Sequence, residues 1–151
     1  MTIPRLVHAS VCAFFGYSAF IAFVVLKNYP SAVLGLISGV TDSILFLVHY
    51  LHWKGRLGEW YESRELRILC RYGIIVGTLG LLCLGYFTTI QIMHKTPIYP
   101  IATSSAISIV WSVVAMRSGI ILMFYAIRYQ IHDDSNDLLG ESSENNPEEG
   151  E

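Results

Sequence analysis

The chain of 151 residues is 53% hydrophobic and only 15% charged, with a mean hydropathy of +0.48. A soluble domain carries about a quarter of its residues as Asp, Glu, Lys and Arg, so this composition excludes one and points to the bilayer as solvent. The formal net charge of -2 hides an asymmetry: eight of the twelve acids lie from Asp133 to Glu151, a stretch without Lys or Arg, so the preceding residues hold ten basic against four acidic groups, or +6.

A hydrocarbon core about 30 Å thick takes roughly 20 apolar residues in a helix, and four stretches meet that length: Leu6 to Leu26, Ala32 to Trp53, Leu69 to Met93 and Ile101 to Tyr125. The expected fold is an all-α bundle of four transmembrane helices over residues 1–131. The first stretch is read as an uncleaved span, because it is too long for a signal peptide and lacks a small-residue cleavage site. Lys27-Asn28-Tyr29-Pro30 and His94-Lys95-Thr96-Pro97 read as tight turns, and the charged, aromatic connection from Lys54 to Arg67 reads as a loop or short helix at headgroup level. Arg5, Lys54, Arg56, Arg64, Arg67, Arg71 and Arg128 fall on one side and Lys27 and Lys95 on the other, which predicts cytosolic termini. Residues 132–151, acidic and rich in Ser, Asn and Gly, predict a disordered cytosolic tail. Gly35-x-x-x-Gly39 and Gly73-x-x-x-Gly77 are small-residue patterns of the kind that let helices approach closely.

Cys12, Cys70 and Cys83 have no C-x-x-C spacing, so neither a disulfide framework nor a zinc site is expected. The chemistry is sought instead among ionisable groups inside the spans, each costing roughly 2.5–3.5 kcal/mol at mid-membrane on insertion scales. Asp42, His49 and Arg117 are the three. Counted from the outer ends of their spans, His49 and Arg117 fall at nearly equal depth, and Asp42 lies seven residues before His49, on the same helical face and about 10 Å further out. An imidazole beside a flat apolar wall with a cation nearby suits a metalloporphyrin with propionates. The bland alternative is a buried Asp42–Arg117 ion pair tying helices two and four together, with His49 bonded to a backbone carbonyl; proton coupling through Asp42 is a third reading. His94, at the outer end of the third span, is either an ordinary loop histidine or a first contact for a ligand. Tyr125, Arg128 and Tyr129 at the inner mouth are either an interfacial belt or an exit shelf where rings stack on a porphyrin and the cation meets a propionate. Asp134 four residues ahead of Leu138-Leu139 has the spacing of an acidic dileucine sorting signal.

LGLISGV at Leu34 to Val40, LVHY with His49 nine residues after Val40, IVWSVVAMR ending at Arg117 and FYAIRYQ from Phe124 to Gln130 together resemble the haem-responsive-gene family, the small four-span haem transporters of eukaryotes. The likeness covers most of the chain in both residue type and spacing. It implies haem import from the extracellular or endolysosomal lumenal side to the cytosol, with haem as transported substrate and no prosthetic group. His49 then matches the family's second-span ligand and His94 its outer-loop His, both as transient ligands of haem iron. Arg117 matches the basic residue of span four, and Tyr125 to Tyr129 the aromatic-basic-aromatic tail motif, although Ile127 stands where that motif often has a basic residue or His. The membranes implied are endosome and lysosome, with the plasma membrane as a further site; sorting adaptors and a second copy of the chain are the expected partners, besides lipid, and nucleic acid is not.

The rival readings are a non-transporting tetraspan scaffold, whose polar groups only tie helices, and a small ion or proton channel. No enzyme is expected, because the spans hold no nucleophile with its base, paired carboxylates or metal cluster.

Overall fold

A computed structural model describes residues 3–56, 63–94 and 101–144, with side chains for 3–56, 64–94 and 102–131. Four helices form: α1 (Ile3–Val25), α2 (Tyr29–Trp53), α3 (Ser63–His94) and α4 (Ser105–Glu144), the last preceded by a 3-10 turn at Ile101–Thr103. All four contain segments long and apolar enough to cross a membrane, and the chain is a multi-pass membrane protein.

The α1–α2 turn follows from its residues. Lys27 takes a left-handed backbone at φ 58°, and Asn28 caps α2, its side-chain oxygen accepting the Ser31 amide at 3.2 Å. Pro30 falls in the first turn of α2, where a missing N–H leaves no intrahelical bond unmade. The residues around Pro97 in the second turn lie outside the described part of the chain.

Packing joins two hairpins, α1 on α2 and α3 on α4, along a parallel α2–α4 seam. Glycines set the closeness of each hairpin. A Cβ on Gly16 would stand 2.6 Å from the Gly39 Cα, and one on Gly80 would stand 2.5 Å from the Met116 amide nitrogen; each is nearer than any real Cβ contact. With little hydrophobic drive between helices in lipid, such backbone approach supplies dispersion that larger residues would block. The seam is polar. The Ser31 and Ser108 hydroxyls are 2.9 Å apart, and the Ser118 hydroxyl donates to the Asp42 carboxylate at 3.1 Å. Small apolar clusters sit beside it, Ala9 with Leu45 and Leu122, and Val48 with Leu66 and Tyr129.

All four helix starts differ from expectation, the first lying at Ile3 rather than Leu6. The second helix begins at Tyr29 rather than Ala32, since Asn28 and Pro30 start it, and the fourth begins at Ser105 rather than Ile101 because the 3-10 turn intervenes. The third begins at Ser63 rather than Leu69, so Arg64 and Arg67 belong to the spanning helix rather than to a separate loop or short helix; residues 57–62 of that connection lie outside the described part. The tail differs too: α4 continues to Glu144 where the composition predicts disorder. A helix already nucleated by a membrane span needs no new nucleus to extend, which offsets the poor propensity of Asp, Ser, Asn and Gly here, and no proline intervenes before Pro147. Residues 145–151 are not described.

Candidate functional site

At the end of the bundle where α1 starts and α2 finishes, α1, α2 and α4 enclose a cleft of about 510 Å3, lined by Arg5, His8, Leu45, His49, Phe124 and Tyr125 among others. That volume lies in the usual range for small-molecule sites, about 300–1,000 Å3. His49 forms its floor. The residue is 1% exposed, its Nδ1 is 2.9 Å from the Tyr129 hydroxyl, and the Tyr125 ring meets it edge-on at 4.5 Å between centroids. In the tautomer whose Nδ1–H donates to Tyr129, the Nε2 lone pair is left for another partner, the arrangement that orients metal-binding imidazoles. His49 is therefore bonded to a side chain of α4, not to a backbone carbonyl.

The rim carries charge. The Arg5 guanidinium carbon lies 5.5 Å from the centre of the Tyr125 ring, a cation–π distance. On the far side of Arg5 a second hollow, about 250 Å3, is bounded by Arg5, His52, Arg128 and Tyr129, with the His52 and Tyr129 rings 4.4 Å apart and tilted by 30°. Arg5 lines both hollows, so its guanidinium stands between the cleft floored by His49 and the second hollow bounded by His52, Arg128 and Tyr129.

Arg117 stands elsewhere. Across the seam, bonded pairs are offset by 77 residues at Ser31–Ser108, 76 at Asp42–Ser118 and 80 at His49–Tyr129. Arg117 is thus level with Thr41, eight residues or about 12 Å above His49, not at equal depth. The shift follows from the early start of α2 and the late start of α4. Nor is Arg117 paired with Asp42: among the described residues Asp42 takes its hydrogen bond from Ser118, while an Arg117 Nη is 2.8 Å from the His8 Nε2. The guanidinium faces α1 and reaches the cleft only through His8, which lines it.

His94 closes α3 at the opposite end. Leu66, which packs in the cluster with Val48 and Tyr129, precedes it by 28 residues, or about 40 Å of helix. The two histidines therefore lie at opposite ends of the bundle. Asp134, Leu138 and Leu139 fall on the helical continuation of α4, where side chains are not described.

Arg5 and His8 are the residues that the sequence reading passed over as parts of the site. Arg5 counted there only toward orientation, and His8 not at all, though an ionisable residue three positions after an arginine inside an apolar first span was the available signal. No protein-family model matches the chain, and no solved structure matches it.

Proposed function

We propose that the protein is a haem transporter of endolysosomal membranes, with both termini in the cytosol, delivering haem to the cytosolic face through the cleft at His49. The observation that carries this reading is the cleft itself: a buried imidazole with one nitrogen oriented by Tyr129, aromatic rings beside it, and Arg5 and Arg128 toward the exit. An axial ligand, flat apolar faces and cations for two propionates are the three requirements of a metalloporphyrin.

Chemically, His49 Nε2 would take an axial position on the iron. Because His49 is buried with the Tyr125 ring edge-on against it, ligation would require side chains around it to move, and the Tyr125 ring would then offer a face to the macrocycle. Arg5 would meet a propionate at the rim, and Arg128 with His52 and Tyr129 would receive haem on its way out. Arg117 would hold the His8 ring at the side of the cleft. His94, at the far end, would make first contact on the lumenal side. Stations about 40 Å apart cannot grip one haem together, so the reading requires stepwise transfer with each site weak enough to release its cargo.

The membrane address rests on the Asp134 to Leu139 pattern, and a homo-oligomer would thicken the thin wall that four helices give a path of this width.

The test is haem titration of the purified chain, followed by the Soret band, beside growth rescue of a haem-auxotrophic yeast. Wild type should bind and rescue; His49→Ala should express and reach the membrane but lose both, and His49→Tyr should keep part through a phenolate ligand. Unchanged binding and rescue by the alanine variant would remove His49 from the mechanism, and a wild type that neither binds nor rescues would favour the scaffold reading.

A further inference from the structure

The outer face of α3 has no role in the cleft. Its inner face packs on α4 through Leu66, Gly73, Val76 and Gly80, which turns Arg64, Arg67 and Arg71 the other way. These three follow the i, i+3, i+7 spacing of one helical face, all three are exposed, and with Ile68 alone they line a hollow of about 440 Å3. Glu65 is the acid of the first turn among the described residues.

The same face is apolar and exposed from among the arginines onward: Ile68 is 55%, Ile75 65% and Leu82 66% accessible, spaced by sevens along the helix. The exposed apolar surface continues past Leu82 through Tyr86 to Met93, so the arginines stand at the head of a lipid-facing run. Cationic forks at one end of an open apolar stripe form the complement of a phospholipid, head and tail together.

We propose that this face is a lipid site, and that its occupant is a phosphoinositide, a phospholipid with a monoester phosphate on its headgroup. Guanidinium forks pair bidentately with phosphate oxygens, and a monoester phosphate brings about -1.5 to -2 charges at neutral pH, enough to answer several arginines where a single carboxylate or diester would not. The start of α3 adds the positive end of its helix dipole. The site depends on the membrane-spanning fold and not on haem transport, so its failure would leave the function proposed above untouched.

The test uses the full chain in phosphatidylcholine nanodiscs doped with a phosphatidylinositol bisphosphate or with phosphatidylserine at matched total charge, with bound lipid counted by native mass spectrometry. The expected result is retention of the phosphoinositide over phosphatidylserine, and its loss by about a hundredfold in R64Q/R67Q/R71Q, at roughly one surface contact per arginine. Retention should hold in K54Q/R56Q, which removes charge from the neighbouring connection. R64K/R67K/R71K keeps the charge and the fold but loses the fork, and should fall between wild type and the glutamine variant. Equal retention of the two lipids, or an equal loss in K54Q/R56Q, would reduce the face to a diffuse basic surface and overturn the proposal. Competition by soluble inositol phosphate as strong as by the whole lipid would show that the apolar stripe contributes nothing, and would overturn the lipid as occupant.

Discussion

Helices α2 and α3 are the same kind of segment by hydropathy, yet 56% of the α2 span is buried inside the bundle and only 17% of the α3 span. What separates them is where polarity falls. Helix α2 carries Ser31, Ser38, Thr41, Asp42 and His49, all buried and all facing the bundle, because lipid cannot satisfy them. Helix α3 keeps its charges at one end and shows lipid a run of Ile, Leu and Tyr. In a membrane, then, the greasier face is the outside of the fold, and buried polar groups mark the centre.

The comparison makes its largest prediction inside α3 itself. Gly80 meets α4 and Gly85 meets nothing within 4 Å. Gly80→Ala should destabilise the chain by about 1–3 kcal/mol, the usual cost of overpacking against backbone that cannot retreat. Gly85→Ala should be neutral or stabilise by up to about 1 kcal/mol, since alanine is the better helix former. Thermal unfolding in one detergent compares them directly; equal losses at both positions would mean that α3 is not seated on α4 through this face.

This division explains what was legible in the sequence. Hydropathy and turn residues locate four helices, since span length is dictated by the bilayer. Asp42 and His49 are recognisable because a polar group in an apolar run has few reasons to be there. Their partners are a different matter. Whether Asp42 meets Arg117 or its neighbour Ser118 depends on how α4 is rotated about its axis, and the depth of Arg117 against His49 depends on the 3-10 turn at Ile101–Thr103; neither leaves a mark on hydropathy. Arg5 and His8 are missed for a related reason: near the start of a span they read as ordinary interfacial residues, and only the packing of α1 against α4 carries them to the cleft. The helical run beyond Ile131 is invisible to a compositional argument, which weighs polarity but not continuity with a preceding helix.

A smaller effect is expected behind the ligand. Tyr129 is 5% exposed and bonds His49, so it acts on the imidazole rather than on a bound haem within the cleft. Tyr129→Phe keeps the ring against His52 and removes only the hydroxyl. If haem is bound through His49, affinity should fall about tenfold, the lower end of the range for a partner that orients a metal ligand, with a change in the Soret spectrum and little loss of thermal stability. The result would sharpen the contrast with α3, where no exposed aromatic should matter as much: Tyr86→Phe, on the lipid face, should leave affinity unchanged. Equal effects at both tyrosines would break it.

The smallest expected effect concerns Asp42 and Arg117, and it tests whether the polar seam of α2 extends to a charge pair. Both lie near mid-span, and an ion pair there would couple them strongly, since removing one partner of a buried pair typically costs 3–5 kcal/mol. The geometry gives Asp42 to Ser118 on the seam and Arg117 to His8 on α1. A double-mutant cycle of Asp42→Asn with Arg117→Gln should therefore show only the residual attraction of charges that are near but not in contact, well below the loss of a buried pair, whereas Asp42→Asn with Ser118→Ala should show a coupling of about 0.5–3 kcal/mol, as groups sharing a hydrogen bond do. Both cycles can be read from unfolding of the four variants in one detergent. Strong coupling in the first and none in the second would restore the ion pair and shift the register of α4. The predicted pattern leaves α2 held to α4 by hydroxyls and one carboxylate, with Arg117 bound to α1, so that haem affinity should respond to Arg117→Gln only as far as His8 moves.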